Sequence, residues 1–92
     1  MKDCDLCKLE IKKNVYIERD HFIILDCMDC KIPMAVWKEH TMEIPEPDEY
    51  IMEAMLYETA CMFYESWDGK DFHIDKNQRK IFDHLHYHAR PK

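Results

Sequence analysis

The sequence predicts an α+β fold, an antiparallel sheet of about five strands with one long helix, in a single domain over residues 1–92. Three observations lead there. Short runs of β-branched and aromatic residues are separated by polar turns, the pattern of brief strands. One stretch, from Asp48 to about Trp67, runs without a breaker and stops at Asp68-Gly69. The order of elements is strands, helix, strands, which favours antiparallel pairing over the alternation that builds a parallel sheet.

Val15-Tyr16-Ile17 and Phe22-Ile23-Ile24-Leu25 flank the polar segment Glu18-Arg19-Asp20-His21 and read as a hairpin. Pro33-Met34-Ala35-Val36-Trp37 is a third strand, with Pro33 at its first position, where a missing N–H is tolerated. Pro45-Glu46-Pro47 breaks the chain. Asp48 and Glu49 then place negative charge at the positive end of the helix dipole. The helix is apolar on nearly every side: Ile51, Met55 and Met62 on one, Met52, Leu56, Phe63 and Trp67 on another, Tyr57, Cys61 and Tyr64 on a third. Covering one sheet needs a single apolar stripe, so the surplus predicts a second contact, with another copy of the chain. Phe72-His73-Ile74-Asp75 is a fourth strand, and the last runs from Ile81 to Arg90.

Composition narrows the function classes. An apolar fraction of 47% argues against disorder. A 92-residue domain buries a modest share of its surface, so a bound metal or a partner subunit adds materially to its stability. The formal net charge of -6 argues against a general nucleic-acid binder, whose affinity comes mostly from Lys and Arg on phosphates. The segment Lys76-Asn77-Gln78-Arg79-Lys80 is locally basic and leaves room for a small anionic ligand near the last strand. No apolar run approaches the ~20 residues that cross a bilayer, and Met1-Lys2-Asp3-Cys4 lacks a signal-peptide apolar core. The expected location is the cytoplasm, where the five cysteines are reduced or metal-bound rather than disulfide-linked.

The chemistry concentrates at the end of the chain. His84, His86 and His88 alternate with Leu85 and Tyr87. Alternate strand residues share a face, so three imidazoles line one side of the last strand, neighbours about 7 Å apart. An expression tag would be consecutive and would lack apolar spacers. Imidazole binds metal, donates to phosphate, or attacks phosphorus as a nucleophile.

His84-Leu85-His86-Tyr87-His88-Ala89-Arg90 resembles the His-x-His-x-His motif of the histidine triad family of nucleotide hydrolases and transferases. Cys4-Asp5-Leu6-Cys7-Lys8 is similar to the family's N-terminal Cys-x-x-Cys-Lys. Val15 to Asp26 resembles its first hairpin, and Met34 to His40 the strand that ends in Lys-x-His. The resemblance covers almost the whole chain in order. It implies that His86 attacks the α-phosphate of a nucleotide or small phosphate ester and that His88 donates to a phosphoryl oxygen. It places Asp26 at the ribose hydroxyls, Phe22 and Ile24 near the base, and the protein in a homodimer.

The cysteines admit two zinc sites. Cys4 and Cys7 have knuckle spacing, which lets two thiolates grip one ion. The resemblance completes the set with His40 and His84, a closed structural site that fixes His84 two residues from His86. Spacing alone supports a rival, Cys4 and Cys7 with Cys27 and Cys30, since the nineteen-residue gap suits a four-cysteine module.

Two departures from the family pattern bear on activity. Where the family carries a glycine-rich phosphate loop before the triad, this chain has Asp75 to Phe82 with no glycine. Arg79 and Lys80 are the candidates to hold phosphate there as point charges. Ile32 stands where many members carry a further histidine. Three readings follow: a nucleotidyl hydrolase or transferase, a non-catalytic nucleotide or phosphate binder on the same fold, and a four-cysteine zinc-ribbon-like interaction module.

Overall fold

The computed structural model describes residues 14–27, 31–39, 41–76 and 84–92. The apolar runs become β1 (Val15–Glu18), β2 (Phe22–Asp26), β3 (Pro33–Trp37), β4 (Phe72–Asp75) and β5 (His86–Pro91), with α1 (Glu46–Phe63) between β3 and β4. The five strands form one sheet in the order β1-β2-β3-β5-β4. Every neighbouring pair is antiparallel. This is the α+β sheet-and-helix architecture that the pattern of strands and helix predicts.

Period-two alternation sorts the side chains. Phe22, Ile24, Ala35, Trp37, Phe72, Tyr87 and Ala89 face α1, which buries Met52, Leu56 and Ala60 against them. On the opposite face Ile23, Leu25, Met34 and Val36 form a second apolar cluster. β2 and β3 are therefore apolar on both faces, and both are buried along nearly their whole length. Tight turns set the register. Arg19 N–H donates to Phe22 O at 2.8 Å, and Lys31 N–H donates to Cys27 O at 2.7 Å. Lys31 takes a left-handed backbone angle at the second of these connections, and Asn14 takes one just ahead of β1.

The helix limits differ from the expected Asp48–Trp67. Pro45 and Pro47 do not exclude the helix, because Pro at the first positions lacks only an N–H that has no helical partner. At the other end the chain turns at Glu65, which holds φ 52°. Ser66 N–H donates to Cys61 O at 2.9 Å and Glu65 N–H to Met62 O at 3.3 Å, the paired bonds of a Schellman cap. A left-handed position costs an L-residue roughly 1–2 kcal/mol. Glycine is strain-free there but adds entropy to the unfolded chain. Glu65→Gly is therefore expected to stabilise the protein by about 0.5–1 kcal/mol, read as a higher urea midpoint at constant slope. An unchanged or lower midpoint would contradict the cap. The chain's glycine, Gly69, also has positive φ, and a Cβ there would collide with the Tyr57 hydroxyl.

The last strand is also shorter than expected. It begins at His86, and Ile81 to Asp83 lie outside the described residues. His84 and Leu85 precede the strand. Leu85 N–H donates to Thr41 O at 2.9 Å, and Trp37 N–H donates to Leu85 O at 3.1 Å. The bond from Trp37 continues the β3–β5 register, whereas the bond to Thr41, in the chain beyond β3, replaces the return ladder bond.

Candidate functional site

β5 turns His86 and His88 to the face opposite α1, because Tyr87 and Ala89 between and after them belong to the helix-side core. Register then fixes the neighbours. On β3, Val36 lies opposite His86 and Met34 opposite His88. On β4, Asp75 lies opposite His88 and His73 opposite Arg90. His86 and His88 are 5% and 8% exposed. Their rings meet edge to face, centroids 5.5 Å apart. In so little water, each hydrogen bond and charge acts more strongly than at the surface.

The hydrogen bonds assign the tautomer of His86. Its Nδ1 lies 2.8 Å from the His84 carbonyl oxygen. A carbonyl only accepts, so Nδ1 carries the proton and the neutral ring keeps its lone pair on Nε2. His84 is fully buried, and its Nε2 donates to the Trp37 carbonyl oxygen. The same reasoning leaves the His84 lone pair on Nδ1. The three histidines thus separate into two roles. His84 is tied to the end of β3, and His86 and His88 share the sheet face.

Tyr87 anchors the strand from the other side. Its hydroxyl donates to Glu49 Oε1 at 2.8 Å. Burial and this carboxylate raise the Tyr87 pKa, so it stays a donor. Lys76 Nζ pairs with Glu53 at 2.6 Å, lies 3.8 Å from Glu49, and sits 5.3 Å from the Tyr87 ring centroid. Tyr64 of the helix cap donates to Ala89 O at 2.6 Å. Sequence reasoning missed Glu49 and Glu53 in this role, although their i, i+4 spacing on the helix marks them as one face. It also missed Asp75, a buried acid whose Oδ2 accepts from Arg90 Nε at 2.7 Å. An acid at the end of the short Phe72–Asp75 strand, two residues from His73 and so on its face, was the available signal.

Asp26 is not brought to the histidines. In the alternation of β2 it belongs with Phe22 and Ile24, on the helix side. It accepts from the Tyr16 hydroxyl at 2.7 Å, and burial, with that bond, pushes the Tyr16 pKa up to about 12. Phe22 and Ile24 are core residues beneath α1. A cleft of about 210 Å³ opens near them, with His21, Trp37, Asp48 and Met55 on its walls. It is smaller than the ~300 Å³ at which small-molecule sites begin, and it lies on the helix side. Cys4, Cys7, Cys30, His40, Arg79 and Lys80 lie outside the described residues.

Among the described residues, no group of three His, Cys, Asp or Glu side chains is arranged to hold a metal. One observation nevertheless fits the zinc site that includes His84. Metal-bound imidazoles almost always donate their other ring N–H to a carbonyl or carboxylate, which fixes the ring. His84 makes that bond to Trp37 O. Cys27, at the start of the β2–β3 connection, packs against Ile23, Leu25, Met34 and Val36. No family model, curated protein or solved structure matches this chain.

Proposed function

We propose that this chain is a histidine-triad-like nucleotide hydrolase or nucleotidyl transferase acting at an α-phosphate, with His86 as nucleophile. The observation that supports it is the His86 Nδ1–H bond to the His84 carbonyl, which commits the lone pair to Nε2. Its neighbour on the same face, His88, is the residue to donate to a phosphoryl oxygen. Nε2 forms a bond to phosphorus as the bond to the leaving group breaks. With a phosphoramidate, the protonated nitrogen leaves as neutral ammonia. Water then attacks phosphorus, the phosphorus–nitrogen bond to His86 breaks, and one proton passes to solvent. Arg79 and Lys80 are proposed as phosphate contacts in place of a glycine-rich loop.

Zinc is proposed as a structural ion on Cys4, Cys7, His40 and His84. It would supply a rigid anchor for the backbone that carries the His84 carbonyl. Cys4, Cys7, Cys27 and Cys30 form the alternative set. No helix among the described residues is long and apolar enough to cross a membrane, and the proposed location is the cytoplasm. The test of function is turnover of adenosine phosphoramidate by the purified chain, with a search for an adenylylated protein by intact mass. No turnover and no adduct across a panel of activated nucleotides would leave AMP binding, measured by calorimetry, as the surviving use of the site.

The proposed assembly is a homodimer through α1. Tyr50, Ile51 and Met62 on the helix and Trp67 beyond it are exposed, Met62 and Trp67 to 63% and 77%. Apolar surface of that extent on one element marks an interaction face. Sedimentation at ~50 µM is expected to give a dimer, since an interface of standard size is filled there. Met62→Glu is expected to return it to monomer, and a wild-type monomer at that concentration would rule the interface out.

A further inference from the structure

Asp75 is a buried acid on the histidine face. Its side chain is 4% exposed, and Arg90 Nε donates to its Oδ2 at 2.7 Å. β4–β5 pairing sets Asp75 directly opposite His88, and direct partners hold their Cβ atoms ~4.5–5.5 Å apart on one face. Arg90 follows His88 by two residues on the same strand, so it reaches Asp75 diagonally across that pair. Carboxylate, imidazole and guanidinium are therefore grouped on adjacent strands, in a site largely closed to water.

We propose that Asp75, held in place by Arg90, is a positioning residue for His88, fixing its imidazole and favouring the protonated ring that meets an anion with an N–H. The reasoning is electrostatic. A carboxylate within ~4–6 Å favours the charged imidazole. Burial opposes it, and His88 at 8% exposure needs such a partner to stay cationic. Arg90 tempers the field of Asp75 and keeps a bare carboxylate from repelling an incoming phosphate. Among the described residues, the other groups around His88 are few. β5 offers His86 and Arg90, and β4 offers Asp75 and His73. β3 and β2 present Met34, Val36, Ile23 and Leu25, none of which titrates, with Cys27 packed against them. Asp75 is the only carboxylate in this set.

The inference rests on the proposed role of His88, but its test needs no turnover. The His88 ring is titrated by NMR in the full chain as purified, for wild type, Asp75→Asn and Arg90→Gln. Asp75→Asn is expected to lower the His88 midpoint by at least about one pH unit, the size of effect that a lost neighbouring charge produces. Arg90→Gln is expected to raise it, by unmasking the carboxylate. If Asp75→Asn fails to fold, the double variant Asp75→Asn with Arg90→Gln, which leaves neither charge of the pair buried alone, is titrated instead, and its His88 midpoint is expected to lie below that of Arg90→Gln. A His88 midpoint unmoved in either folded variant overturns the proposal. That result would leave His86 as nucleophile untouched. Conversely, shifted midpoints in a protein without turnover would defeat the enzymatic reading and keep the Asp75–His88 pairing.

Discussion

His86→Ala is expected to reduce turnover of adenosine phosphoramidate to background while leaving zinc bound and the fold intact. Removal of an enzyme nucleophile lowers kcat on the order of 10⁴–10⁶-fold, because no second route to the covalent intermediate remains. The zinc should stay, since His86 is not among the proposed ligands. The structure sharpens the contrast with His88. His88→Ala removes the proposed donor to the phosphoryl oxygen and should slow the reaction by ~10²–10³-fold, with the adduct on His86 still forming. His86→Asn is a useful companion, because its amide nitrogen takes the place of Nδ1 and keeps a donor for the His84 carbonyl. It should be as inactive as alanine but more stable. Wild-type rates in His86→Ala would end the nucleophile assignment.

His84→Ala is expected to lose zinc and much of the stability together. The side chain is fully buried and its Nε2–H satisfies the Trp37 carbonyl. Leaving that carbonyl without its partner costs about 1–3 kcal/mol before any metal is counted. Structural zinc contributes on the order of 10 kcal/mol, so ligand loss adds to this and should make the variant largely unfolded at 37 °C. Zinc content by elemental analysis and a urea midpoint are the measurements. The four-cysteine alternative gives a different pattern: His84→Ala would keep about one zinc per chain, and Cys27→Ser would lose it. Zinc retained in His84→Ala removes His84 from the ligand set whatever the midpoint does.

The sheet was legible in the sequence because its signal is strong where burial is two-sided. Pro33 to Trp37 and Phe72 to Asp75 are strands at the limits read from their apolar and β-branched residues. The helix limits were not legible, for an identifiable reason. Its stop is built on Glu65 in a left-handed conformation, whereas sequence rules look for Gly or Asn there, and Asp68-Gly69 drew the boundary four residues late. The alternation of His84, His86 and His88 was read as one strand. Trp37 N–H still donates to Leu85 O in the β3–β5 register, but Leu85 N–H turns away to Thr41 O, and the strand begins at His86. Alternation correctly placed His86 and His88 together, since both lie within β5. It could not place Asp75 opposite His88, because that register depends on which strands are neighbours, and β5 inserts between β3 and β4.

That insertion has a consequence for how the molecule assembles. Among the described strands, β5 comes last in sequence, yet it sits inside the sheet. Until it arrives, β3 has a bare edge, and β4 has no strand beside it. Both are edges onto which foreign strands can add. The pairing of β5 with β3 spans some fifty residues, a slow, long-range closure. A growing chain on the ribosome therefore carries an unfinished sheet until residues 86–91 emerge. The two imidazoles arrive on the very segment that seals it, so the histidine pair and the sheet are completed in one event, and a polypeptide truncated before His86 would be prone to aggregate.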